Sequence, residues 1–151
     1  MVGGAVASGP VNMAYNGYKI GKAYDKLQQN PYLGQGRDVI ARMKNHAGEP
    51  VVLQRGEAIP DNMGNPIVHG RVLGRETGTE RNYGLNKMIY KHEMPKNEVT
   101  QIPKYLRNNN PVEVSPRGQN VYIIQTPTGE LKLVTSPTTD GTTVSSMYYP
   151  K

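Results

Sequence analysis

The 151-residue chain has the length of one domain and carries a net charge of +6, which favours polyanions or acidic proteins as partners. It has no cysteine, which excludes disulfides and thiolate metal sites. No apolar run is long enough for a membrane-spanning helix, so stable membrane insertion is not expected. Ten tyrosines are the whole aromatic set, because Trp and Phe are absent, and each brings a hydroxyl to any site it lines. The positive excess lies in residues 1–110, whereas 111–151 are balanced.

In chain order, residues 1–10 read as a flexible linker with Gly3, Gly4, Ser8, Gly9 and Pro10. The initial Met and the Gly/Ala-rich sequence behind it suggest a piece of a longer protein. A weak helical pattern runs from 11 to 29 through Val11, Ala14, Tyr15, Tyr18, Ile20, Ala23, Tyr24 and Leu27. Gly17 and Gly21 weaken it by about 1 kcal/mol each relative to Ala, so it needs a partner surface. "NPYLGQG" breaks the chain, and "RDVIARMKNHAG" predicts a second helix with Val39, Ile40 and Met43 at helical spacing and Gly48 as its stop.

The period changes over 50–74, where Val51–Leu53 and Ile67, Val68 and Val72 make short β runs around the turn-rich "PDNMGNP". "TERNYGLNKMIYKHEM" predicts a helix with Leu85, Met88, Ile89 and His92 on one stripe. Pro95 opens a further helix with Val99, Ile102 and Leu106 inside, which Pro103 must kink or split. The last forty or so residues are β in character. "NVYIIQT" and "ELKLVTS" flank "PTG" as a hairpin, and "TTVSSMYY" follows the turn "PTTDG". The expected fold is α+β, with N-terminal helices packed on a C-terminal antiparallel β-sheet.

The chemistry on offer is acid–base chemistry. His46, His69 and His92 are far apart and lack metal-ligand spacing, and neither a phosphate-cradling loop nor a nucleophile elbow is present. What remains is His, Lys/Arg, Ser/Thr and Tyr, a set suited to RNA cleavage, where the substrate supplies its own 2′-hydroxyl nucleophile. Imidazole can serve either proton step, and Lys or Arg can stabilise phosphoryl oxygens. His92, beside Lys91 at the end of an apolar stripe, is the best candidate. A helix-terminal His also interacts favourably with the helix dipole without further role. Alternation along the last strand puts Thr142, Val144, Ser146 and Tyr148 on one face, and Thr143, Ser145, Met147 and Tyr149 on the other. Arg71, Arg75, Arg81, Lys87, Lys91, Lys96, Lys104 and Arg107 are candidates to track a phosphate backbone, although Glu76, Glu80, Glu93 and Glu98 interrupt them, a mixture more often found on a solvated helix face than in a binding stripe.

Over residues 80–150, "MIYKHEMPKNEVTQIPKYLRNNNPV", "NVYIIQTPTGELKLVTS" and "TVSSMYYP" resemble the barnase/EndoU/colicin/RelE superfamily of ribonuclease toxins. The likeness is to C-terminal domains of contact-dependent growth inhibition effectors. It lies in the order of the elements: a helix ending in a base and His, a proline-broken helix, a hairpin, and a closing Ser/Thr-x-Tyr strand. The resemblance implies catalytic roles for His92, Lys91, Ser146 and Tyr148, with Thr135 as a further candidate. Arg75, Arg81, Lys87, Lys96 and Arg107 are the matching expectation for substrate binding. It also implies a toxin domain over 36–151, preceded at 1–35 by a linker and the helical end of a segment that helps such toxins enter the target cell. The expected activity is a metal-independent endoribonuclease without cofactor, cutting tRNA to leave a 2′,3′-cyclic phosphate after delivery to the target-cell cytoplasm. An acidic cognate immunity protein, and in some relatives a host factor, are the implied protein partners. The alternative is a non-catalytic basic module, either nucleic-acid-binding or a virion or structural component.

Overall fold

The computed structural model describes residues 10–56, 59–60, 66–67, 83–139 and 141–150. Helix α1 (Pro10–Gln29) is followed by strands β1 (Val39–Lys44), β2 (Pro50–Gln54), β3 (Ile59–Pro60) and β4 (Pro66–Ile67). A π-helical turn (Lys87–Lys91) leads into the short helices α2 (Lys96–Val99) and α3 (Ile102–Asn108). Strands β5 (Glu113–Val114), β6 (Asn120–Thr126), β7 (Gly129–Thr138) and β8 (Gly141–Tyr148) complete the fold, which is α+β as expected.

The predicted second helix over 37–48 is instead strand β1. Ala41 and Met43 are buried while Arg42 and Lys44 are exposed, which is a period of two. The chain then reverses through Asn45, whose Oδ1 accepts from the backbone N–H groups of Ala47 and Glu49, and pairs Lys44 with Pro50. An asparagine closing its own turn this way competes with helix and favours the hairpin.

The main sheet has the order β1-β2-β8-β7-β6-β5. Strands β6 to β8 form the expected antiparallel meander, β5 adds to its edge beside β6, and β3 pairs with β4 in a separate ribbon. The N-terminal hairpin joins the meander through a parallel contact, Val51 with Thr142 and Val52 with Thr143. Val68 and Val72, read as part of a strand, lie outside the described residues.

All three helices pack on one face of the sheet. Ile20, Tyr24 and Leu27 of α1 join Val99, Ile102 and Leu106 over Met43, Leu53, Tyr122, Leu131, Leu133, Val144 and Met147 in one core. Burying one such side chain contributes about 1.5–3 kcal/mol, which offsets the weak propensity of α1. The helix is also pinned by side chains: Asn16 Nδ2 donates to the Arg42 carbonyl (2.9 Å), and the Tyr24 hydroxyl donates to that of Met94 (2.6 Å). Helix α1 therefore contributes Ile20, Tyr24 and Leu27 to the sheet's core. Pro103 splits the predicted helix into α2 and α3, standing in the first turn of α3 where its missing N–H costs nothing. Among the described residues no helix is long and apolar enough to cross a membrane.

Candidate active site

The sheet face opposite the helices forms the floor of an open cleft of about 960 Å³. One wall comes from the segment that ends at His92. Its entry is set by a backbone contact: a Cβ on Gly84 would stand 2.8 Å from the Gln54 carbonyl oxygen, so only glycine lets this segment meet the end of β2. The Asn86 amide locks the same junction, donating to the Pro31 and Gly56 carbonyls.

From there the chain winds as a π turn rather than the predicted α-helix, with the His92 N–H bonded to the Lys87 carbonyl at 3.2 Å. In an α-helix His92 would continue the stripe of Leu85, Met88 and Ile89 into the core. The i to i+5 bond instead stacks His92 above Lys87, and both side chains line the cleft while Met88 and Ile89 stay buried. The turn closes with Glu93 in the left-handed region (φ 50°) and the Met94 N–H bonded to the Met88 carbonyl, with the apolar Met94 side chain buried.

The floor departs from strict alternation. Val134 pairs with Ser146, but Thr135 pairs with Val144, so Ser145 is an extra residue on β8 and forms a β-bulge. Thr143, Ser145, Ser146 and Tyr148 consequently all line the cleft, whereas Val144 and Met147 face the core. This corrects the expected partition, which put Thr143 and Ser145 on the face opposite Ser146 and Tyr148.

The two ends of the sequence pattern meet here. The His92 imidazole stacks on the Tyr148 ring, with centroids 4.9 Å apart and planes inclined by 23°, and its Nε2 is 3.4 Å from Ser146 Oγ. Lys132 of β7, paired with Tyr148 of β8, holds its ammonium 5.9 Å from that ring's centre. Among the described residues, Arg37, Lys87, Arg117 and Lys132 line the cleft together with the acid Glu113. Such a cationic concavity concentrates anionic ligands. Among the described residues no three His, Asp or Glu side chains are grouped as a metal ion requires.

Of the other expected site residues, Lys91 closes the π turn, and Arg75 and Arg81 lie outside the described residues. Thr135 is buried at 1% exposure, paired with Val144 on the core side of the sheet, so it does not reach the cleft. Lys96 and Arg107 sit in the helical layer. The Lys96 ammonium pairs with Asp25 at 2.8 Å, and the Arg107 guanidinium donates to the Asn45 and His46 carbonyls. Both cations are committed to tying helices to their neighbours. Arg37, Arg117, Lys132 and Tyr83 line the cleft without having been expected there. For Lys132 the signal was present, since it stands at a position of β7 that alternates with buried Leu131 and Leu133. Arg37 and Arg117 are in loops, where no periodicity marks a face.

The chain matches no protein-family model and no curated protein.

Proposed function

We propose that the chain is a metal-independent endoribonuclease that cuts RNA by attack of a 2′-hydroxyl on the adjacent phosphate. The observation that carries this reading is His92 stacked on Tyr148, within 3.4 Å of Ser146, in a cleft also lined by Arg37, Lys87, Arg117 and Lys132. The cleft offers imidazole, ammonium, guanidinium and hydroxyl groups, which is the donor set for proton transfer and phosphoryl-charge stabilisation.

In this mechanism His92 takes the proton from the 2′-oxygen as the 2′-oxygen–phosphorus bond forms and the bond to the 5′-oxygen breaks. The face of Tyr148 stabilises the imidazolium that results. Lys87 and Lys132 offset the charge growing on the non-bridging oxygens, and the Ser146 hydroxyl donates a further hydrogen bond there. The leaving 5′-oxygen takes a proton from a second donor of the cleft, an ammonium or the Tyr148 hydroxyl. The products are a 2′,3′-cyclic phosphate and a 5′-hydroxyl end, and DNA, which lacks the nucleophile, stays intact. The resemblance to the barnase/EndoU/colicin/RelE toxins adds tRNA as the substrate, delivery into a competing bacterium and neutralisation by an acidic immunity protein.

The test is His92→Ala. Loss of an acid–base group costs about 10²–10⁴-fold in rate, so RNA cleavage should vanish while circular dichroism and the unfolding midpoint hold. Full activity in that variant sinks the proposal. EDTA should leave cleavage unchanged, and a loss restored by added metal would point to a metal nuclease. Salt-sensitive RNA binding with no products would favour the non-catalytic module instead.

A further inference from the structure

Ser145 and Ser146 are consecutive hydroxyls on the cleft floor, yet the structure gives them different work. The Ser145 Oγ donates to the Val134 carbonyl (3.1 Å) and accepts from the Ser136 Oγ (2.9 Å). Ser136 in turn accepts from the Gln119 amide Nε2 at 2.9 Å. Gln119 is itself held in the β5–β6 turn, its N–H bonded to Ser115 Oγ and its carbonyl to the Ser115 N–H. The result is a one-way chain, Gln119 to Ser136 to Ser145 to the Val134 carbonyl, that runs from the β5–β6 turn to β7, on to β8 and back to β7.

Each hydroxyl in the chain spends its one proton on the next acceptor, so Ser145 has none to offer a substrate. The chain ends on the carbonyl of Val134, the residue at which the register shifts and whose cross-strand partner is Ser146. A bulge of this kind bends its strand and re-aims the side chains next to it. The Ser145 bond to the Val134 carbonyl favours the extra residue sitting at 145 rather than one place away. A slip by one residue would turn Ser146 to the opposite face.

We propose that Ser145 and Ser136, anchored by Gln119, are positioning residues that set the bulge and so hold Ser146 against His92. This rests on the reading of the cleft as a ribonuclease site. It assigns the floor hydroxyls two roles: Ser146 faces the reacting phosphate, and Ser145 and Ser136 act only through it.

The experiment compares Ser145→Ala, Ser145→Thr, Ser136→Ala and the double alanine variant in RNA-cleavage kinetics and in NMR of the His92 ring. Ser145→Ala should lower kcat about tenfold with KM within about twofold, the signature of a lost transition-state geometry. Ser145→Thr, which keeps the hydroxyl, should restore most of the rate. The double variant should be no worse than Ser145→Ala, because both break one chain. The His92 Hε1 and Nε2 resonances should shift in Ser145→Ala and return in Ser145→Thr. An unchanged kcat, a loss confined to KM, additive effects, or unmoved His92 resonances would overturn the inference. If the wild-type protein cuts no RNA, the ribonuclease reading fails, and the His92 spectra alone decide whether the chain positions the bulge.

Discussion

Replacing Gly84 with Ala tests how the His92 wall is built. Gly84 has φ 91°, and an added methyl would stand 2.8 Å from the Gln54 carbonyl oxygen and from the Cα and N of Gly56. Those neighbours are backbone, so they cannot swing aside. Gly48 is the matched control: its φ is 79°, and a methyl there meets nothing within 4 Å. Gly48→Ala should therefore cost only the left-handed strain of an L-residue, about 1–2 kcal/mol. Gly84→Ala carries that same strain plus about 1–3 kcal/mol for forcing two backbone segments apart. The sum, about 2–5 kcal/mol, is a large part of the roughly 5–15 kcal/mol that stabilises a domain. Urea unfolding followed by tyrosine fluorescence, undisturbed by Trp, gives both numbers. Where Gly84→Ala remains folded, RNA cleavage should fall, because the π turn no longer sits over β8, whereas Gly48→Ala should cleave normally. Equal destabilisation by the two substitutions, within about 0.5 kcal/mol, would refute the close-approach account.

Burial raises the pKa of Tyr24, Tyr90, Tyr105 and Tyr122, and for Tyr105 the hydrogen bond to Glu98 raises it further. The folded state thus keeps protons that the unfolded chain releases above about pH 10, so stability is intact below that pH and falls as pH rises beyond it. Urea midpoints measured from pH about 9 to about 12 should drop with a matching rise in tyrosinate absorbance, and a flat midpoint would contradict the assignment. Arg117→Gln should weaken RNA binding and lower the salt slope by about 0.7, the share of one phosphate contact on a single strand. Arg107→Gln should leave RNA affinity alone and cost about 1 kcal/mol of stability through its lost carbonyl bonds, so a reversed pattern would relocate the binding surface. Glu93→Gly should raise unfolding stability in urea by about 0.5 kcal/mol, because φ 50° is relieved, and an unchanged or lower stability would refute the strain at this stop.

Much of the fold was legible in local pattern. The strands over "NVYIIQT", "ELKLVTS" and "TTVSSMYY" and the inner face of Val99, Ile102 and Leu106 follow from alternation and helical spacing, and each element found its expected partner layer. Residues 37–48 failed because two adjacent β-branched residues fit both periods, and the turn chemistry of Asn45 decided between them. The site divided the same way. His92, Ser146 and Tyr148 came together, while Thr135, Lys96 and Arg107 turned to the core or the helical layer. A cation's use depends on which neighbour claims it, and those neighbours are distant in sequence.

The sequence by itself determined the class of the protein, α helices against an antiparallel meander, and the residue types available for chemistry, because both follow from composition, short-range period and turn residues. The tertiary structure alone decided where that chemistry is concentrated. The parallel pairing of β2 with β8 joins the two halves of the sheet, and the Gly84 contact and the π turn bring His92 and Lys87 to the cleft. The bulge at Ser145 puts both serines on its floor. These are long-range packing and register events, set by contacts between residues that no local window contains.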